Sequence, residues 1–174
     1  MLVILRLRPI DESLPLQRRT TARGFTLVEA LTVLAVIAVL ATVAMPMLAN
    51  VLAGQRLRAA GTDMMSSLLV ARSEAIKRNA QVVVAPRNAG DWTSGWRVAA
   101  LATDEQVDRK EALGLRVDVS LAPARIVYER NGRLGVGGVA QLEFRDSESH
   151  PGVHARCVSI DPSGLPRLSV GPCV

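Results

Sequence analysis

The 174 residues hold 21 Lys and Arg against 16 Asp and Glu, a formal charge of +5, and are 49% hydrophobic but only 3% aromatic. A core must therefore come from Val, Leu, Ile and Ala, which leaves little from which to wall a site for a bulky flat ligand. The basic excess sits early: residues 1–24 carry five arginines against two acids, whereas eleven basic residues face eleven acidic ones from Asn79 onward, so a polyanion-binding field over the whole C-terminal part is excluded and any such site must be a local cluster.

Arg6, Arg8, Arg18, Arg19 and Arg23 precede a stretch, Ala30 to Gln55, with no ionisable residue. It is long enough to cross a bilayer as a helix, and the arginines before it place the N-terminus in the cytoplasm and the C-terminal domain in the periplasm. Glu29 is the exception at its mouth. A carboxylate in an apolar span costs about 2.5–3.5 kcal/mol near the centre and less near an end, so it is expected to have a function. An ordinary secretory signal cut near Ala41-Thr42-Val43-Ala44 would instead release a soluble periplasmic binding module. That alternative accounts neither for Glu29 nor for the apolar Met45, Met47, Leu48, Val51 and Leu52 beyond the cut. Met1 to Leu7 is itself apolar apart from Arg6, which leaves the translation start open between Met1 and a downstream site.

The segment Arg23-Gly24-Phe25-Thr26-Leu27-Val28-Glu29 resembles the class III leader junction of type IV pilins and type II secretion pseudopilins. The resemblance implies cleavage by a prepilin peptidase between Gly24 and Phe25 and N-methylation of the new terminal Phe25. It further implies that Glu29 meets the terminal amine of a neighbouring subunit, offsetting the desolvation of both charges; the plainer alternative is an interfacial acid with no partner. Pro46 matches the proline that kinks the stalk of such proteins, and lacks the N–H that a helix interior needs. The expected organisation is a leader over 1–24, a transmembrane or filament-core helix over 25–54, an amphipathic stalk over 55–79 and a periplasmic β domain over 80–174.

Beyond Arg56, Leu57, Ala60, Met64, Leu68, Ala71 and Ala75 recur at helical spacing and predict one helix from Phe25 to about Arg78, with Glu74 and Arg78 as a favourable i,i+4 pair. The stretch Ala71-Arg72-Ser73-Glu74-Ala75-Ile76-Lys77-Arg78-Asn79 resembles the stalk end of the GspH/FimT subgroup. Short β-type runs follow, at 81–85, 96–101, 115–119, 125–129, 141–145, 154–160 and 165–170. Asn131-Gly132 predicts a type I′ hairpin turn, and Asp161-Pro162-Ser163-Gly164 another turn. The fold class expected is α+β, a pilin-like long N-terminal helix packed on an antiparallel β-sheet domain. Trp92 and Trp96 resemble the W-x-x-G-W stretch of the same subgroup and are expected as core anchors at a strand entrance rather than as a ligand platform.

No nucleophile with its base and no phosphate loop is present, and His150 and His154 flank a Pro-Gly turn rather than sharing a helix face, which predicts solvated loop histidines. The chain is expected to be no enzyme, with no cofactor and no metal. Cys157 and Cys173 can pair in an oxidising compartment or remain as buried thiols. Function is then expected from assembly, as a minor subunit that primes or caps a filament. Two destinations are open. One is the type II secretion pseudopilus, with exported protein as partner; the other is a type IV pilus. The partners implied are the prepilin peptidase, other minor and major pilins or pseudopilins and the inner-membrane assembly platform. Some FimT-like members bind DNA through a G-R-x-R stretch, which Gly164-Leu165-Pro166-Arg167 matches except for Leu165. Arg167, with Arg156 on the preceding strand, is the candidate DNA contact, against the alternative of an ordinary charged strand face.

Overall fold

The computed structural model describes residues 24–114, 116–135 and 140–174, apart from the side chain of Val43. The expected leader before Gly24 and Leu115 of an expected strand lie outside the described residues. The chain divides into two units at Leu40 and Ala41. In the first, Thr26 opens helix α1, which is assigned over Leu27–Arg78 and so continues into the second. The Thr26 hydroxyl accepts the Glu29 N–H at 3.2 Å, and its carbonyl accepts the Ala30 N–H at 3.1 Å, as a helix N-cap requires.

Within the second unit, the helix buries a single stripe, Ala53, Leu57, Ala60, Met64, Leu68, Ala71 and Ala75, the three- and four-residue steps that put side chains on one face. Asn79 ends it with φ of 49°, and the Ala80 N–H returns to the Ala75 carbonyl at 3.2 Å, the geometry of a Schellman cap. Eight described strands follow: β1 Val82–Asn88, β2 Asp91–Ala100, β3 Gln106–Lys110, β4 Val117–Ser120, β5 Ile126–Tyr128, β6 Ala140–Asp146, β7 Arg156–Ile160 and β8 Pro166–Val170. They form two antiparallel four-stranded sheets, ordered β3-β2-β1-β5 and β4-β6-β7-β8. Inward residues of both sheets, among them Val82, Val84, Trp96, Val98, Tyr128, Leu142, Phe144, Val158 and Ile160, close over the helix stripe in one core. This is the α+β architecture that the periodicities predict.

The tryptophans belong to that core. Trp92 is buried and donates its indole N–H to the Pro123 carbonyl at 2.8 Å, and Trp96 is fully buried. Both lie inside β2, which starts earlier than the expected strand. The glycine between them has a steric reason: a Cβ on Gly95 would meet the backbone of Lys110 and Glu111 on the neighbouring chain segment.

Two expectations are corrected. Strand β3 was not expected, because Gln-Val-Asp-Arg-Lys shows no apolar alternation. It is an edge strand whose polar side chains serve the helix: Asp108 accepts a hydrogen bond from Ser67 at 3.1 Å, and Lys110 pairs with Asp63 at 2.8 Å. The Asn131-Gly132 turn is not type I′. Only Gly132 has positive φ, 75°; the Gly132 N–H bonds the Glu129 carbonyl at 2.7 Å and the Glu129 N–H bonds the Arg133 carbonyl at 2.8 Å, a type I turn closed by a left-handed glycine. Asn131 instead spends its side chain on the Arg133 N–H at 3.0 Å.

Cys157 and Cys173 are joined, with Cα atoms 5.1 Å apart and a separation of 16 positions in sequence, which in the chain-entropy view contributes roughly 3 kcal/mol. The link lies beside Glu143, which faces Cys157 across the β6–β7 ladder and is fully buried. Glu143 accepts the Cys173 N–H at 2.7 Å and pairs with Arg145, while Gln141 donates to the Val174 carbonyl at 2.9 Å. The C-terminal segment is thus held by one covalent link and two polar side chains of β6.

Candidate functional site

From Phe25 to Leu52 every large apolar side chain that is described lies at the surface, none less than 46% exposed. A folded chain in water does not ordinarily leave so many large apolar side chains open. No single helix among the described residues is long and apolar enough on its own to cross a membrane, but the segments Leu27–Thr42 and Ala44–Arg78 meet that measure as a pair, by length and composition. Pro46 lies inside α1.

Glu29 stands in the first turn of this helix, three residues after its Thr cap, the spacing of a capping box. Its backbone is used on both sides, the N–H by Thr26 and the carbonyl by the Thr32 hydroxyl at 2.9 Å. Its carboxylate makes no hydrogen bond or ion pair among the described residues. The helix dipole favours a negative charge at this end, so the local structure tolerates the acid and leaves its oxygens available to a donor from outside the chain.

The two candidate DNA contacts do not converge. Arg167 faces Ser159 across the β7–β8 ladder, whereas Arg156 faces Val170, three positions away along β7. An odd step reverses the side of a pleated strand, so the two arginines occupy opposite faces of the sheet. Arg167 is exposed; Arg156 is half-buried, its Cβ close to where a side chain on Gly61 would begin. A joint two-arginine surface is therefore absent, because the hairpin's register and not its disulfide decides which side chains meet.

His150 also departs from expectation. It is largely buried, its ring Nδ1 lies 2.7 Å from Asp146, and its backbone N–H donates to the same carboxylate at 2.8 Å. His154 is exposed as expected. Burial alone would raise the Asp146 carboxyl, but the hydrogen bonds from His150 outweigh it and hold the group below its usual range. Glu143 behaves alike: burial opposes ionisation, yet Arg145 and the Cys173 N–H hold its carboxyl low. A carboxyl whose pKa is depressed by folding stabilises the fold above its unfolded value and loses that contribution as pH falls through the folded value. Thermal melts are therefore expected to be flat from neutrality to about pH 5 and to fall progressively below it, with Glu143→Gln and Asp146→Asn each flattening the acid limb. A parent melting temperature unchanged down to pH 3 would contradict this.

Among the described residues no group of three or more His, Cys, Asp or Glu side chains could hold a metal ion. Two clefts among the described residues, of about 470 and 460 Å³, are open surface features lined in part by Arg87, Asp91 and Asp118 and by Gln81, Arg125 and Glu129 respectively. Neither assembles a nucleophile with a base and an orienting group.

The sequence profile described as Type II transport protein GspH matches residues 60–164. The chain belongs to the GspH family. The prokaryotic N-terminal methylation motif matches residues 19–45, across Gly24, Phe25 and Glu29. No curated protein matches the chain. In structure it is similar to the type IV minor pilin FimU of Pseudomonas aeruginosa, in two crystal forms. The first has a TM-score of 0.55 and 19% identity over 68% of this chain and 90% of FimU; the second has 0.53 and 21% over 67% and 93%. It is also similar to the minor pseudopilin EpsH of the Vibrio cholerae type 2 secretion system, with a TM-score of 0.50 and 16% identity over 66% of this chain and 97% of EpsH. The fold is that of minor pilins and pseudopilins.

Membership gives the stalk motif a structural meaning. Ala71 and Ala75 are fully buried against the domain, Arg72 donates through Nε to the Gly132 carbonyl at 3.1 Å, and Glu74 pairs with Arg78 at 2.6 Å. Periodicity finds the alanines and the ion pair. It does not find Arg72, whose partner lies 60 residues on, nor Glu143, a lone acid in a strand.

Proposed function

We propose that this GspH-family chain is a minor subunit of a pilus-like filament, held in the inner membrane by its apolar N-terminal helix before assembly. The leader is cut by a prepilin peptidase between Gly24 and Phe25, and the new terminal amine is methylated. The carrying observation is the run of exposed large apolar side chains from Phe25 to Leu52, with Glu29 as the one acid in that stretch of sequence. Lipid, and later the helices of other subunits, supplies the environment that surface needs. Moving from lipid to a helix bundle gains little hydrophobic free energy, so packing shape and the pairing of Glu29 with a neighbour's amine set the register. The 25–54 segment serves as span and filament core, 55–79 as stalk and 80–174 as the periplasmic domain, with Pro46 as the kink.

The domain's balanced charge and irregular surface suit a tip or priming position rather than a repeating shaft. The type II secretion pseudopilus is the first destination, in keeping with the family, and the type IV pilus the second. Mass spectrometry of the mature protein tests the reading. A methylated Phe25 terminus with the apolar helix retained is expected; a terminus near Met45 would overturn it in favour of a soluble periplasmic module. Secretion and piliation assays on a deletion strain separate the two filaments.

A further inference from the structure

Near the end of the apolar run, the stalk and the β domain present cations to one small groove. On α1, exposed Met45, Met47, Leu48, Val51 and Leu52 give way within one turn to Gln55, Arg56 and Arg58. At the same level the segment leading into β7 brings His154 and Arg156, and together with Asn50, Gly54, Gln55 and Arg58 they line a groove of about 210 Å³. No acidic side chain lines it. Neither Arg58 nor Arg156 has an ion pair among the described residues, whereas Asp63, one turn further along the helix, is already engaged by Lys110. Arg156 is the more telling of the two. Its Nε is buried without a hydrogen-bond partner, a cost a protein seldom leaves uncompensated.

We infer that this groove binds the phosphate of a phospholipid headgroup in the periplasmic leaflet. The inference rests on the membrane-anchored reading above. A helix that leaves the hydrocarbon between Leu52 and Arg56 places Asn50 to Arg58 at headgroup depth. Arginines on the translocated side run against the usual bias of loop charge, so a local anion there explains their presence. A phosphate diester is tetrahedral and shares its charge over its non-bridging oxygens, which guanidinium groups from two directions satisfy with charge-assisted bonds. The stalk contributes Arg58 and the domain Arg156, so one bound lipid would tie the domain to the leaflet until the subunit is drawn into a filament.

The test uses the full chain purified in neutral maltoside micelles and native mass spectrometry. Dioleoyl phosphatidylglycerol is compared with dioleoylglycerol, which has the same tails and no phosphate. One phosphatidylglycerol is expected to stay bound and dioleoylglycerol is not. Arg58→Gln and Arg156→Gln should each lower retention roughly fivefold, the effect of one arginine at an anionic surface, while Arg167→Gln on the other face changes nothing. Arg58 lies exposed on the helix, so its variant carries no folding risk, and a melt checks Arg156→Gln. Equal retention of dioleoylglycerol, or retention indifferent to both variants, overturns the inference. So does displacement of the lipid by equimolar inorganic phosphate, which would make this a free-phosphate site. Unchanged lipid retention with impaired filament incorporation in both variants also overturns it, in favour of an acidic segment of a neighbouring subunit. Alkaline carbonate extraction of cell membranes is the separate control: a chain released by carbonate defeats the anchored reading itself.

Discussion

Glu29→Leu is expected to remove the subunit from sheared filaments while leaving its domain folded and its membrane insertion improved. The three effects have separate causes. The domain is indifferent because the Glu29 carboxylate contacts nothing among the described residues, and the cap at Thr26 uses the backbone N–H, which leucine retains. Insertion improves because the change removes a charge whose cost in an apolar span is about 2.5 kcal/mol or less near the helix end. Assembly fails because a neighbour's terminal amine, once drawn into an apolar bundle, then lacks its counter-charge, and an unpaired buried charge costs about 3–5 kcal/mol. The last effect exceeds the second and acts only in the filament, so incorporation should fall on the order of a hundredfold. Quantifying the subunit in membrane and sheared fractions by immunoblot, with a disulfide-protection assay for the fold, checks all three. Leucine-variant incorporation equal to the parent's would show that assembly does not need the Glu29 carboxylate, and the pairing account would fall.

The legible parts of this molecule are those where one interaction type dominates over many consecutive residues. The stalk announces itself because six positions, all buried in the structure, repeat at helical spacing over 19 residues, from Leu57 to Ala75, and the span because nothing ionisable interrupts it. The α+β class follows from the change of period after Asn79. Features fixed by pairs distant in sequence are not legible. Strand β3 pairs with β2 and is tied to the helix where Ser67 and Asp63 meet Asp108 and Lys110, and no periodicity within five residues of which only Val107 is apolar reveals that. The separation of Arg156 from Arg167 depends on a register, and a one-residue slip would have reversed it. His150 is drawn in by Asp146, four residues before it, a contact that a Pro-Gly turn beside it gives no reason to expect.

Gly164→Ala is expected to be among the most destabilising single substitutions in the domain. Gly164 closes the Asp161 turn with φ of 82°, and its N–H bonds the Asp161 carbonyl at 2.8 Å. An L side chain in the left-handed region costs about 1–2 kcal/mol. The larger difficulty is space. A Cβ there would overlap the Gly132 carbonyl oxygen and lie 3.1 Å from the Tyr128 ring. Neither neighbour can withdraw easily: the Gly132 carbonyl is held by Arg72 at 3.1 Å, a Cβ on Gly132 would itself strike Ile76, and Tyr128 is fully buried. Overpacking against such surroundings adds about 1–3 kcal/mol, for a total of about 2–5 kcal/mol, a large share of what an ordinary domain possesses. Gly90→Ala supplies the comparison, since Gly90 has nearly the same φ, 78°, and nothing within 4 Å of a built Cβ. It should cost only the conformational part, about 1–2 kcal/mol. Denaturant melts of the two variants isolate the contact contribution, and equal costs would show that the Gly132–Gly164 approach is not tight in solution. The same approach gives the glycine of the Gly164-Leu165-Pro166-Arg167 segment a packing role between two turns, which requires no bound phosphate and holds whatever the exposed Arg167 meets.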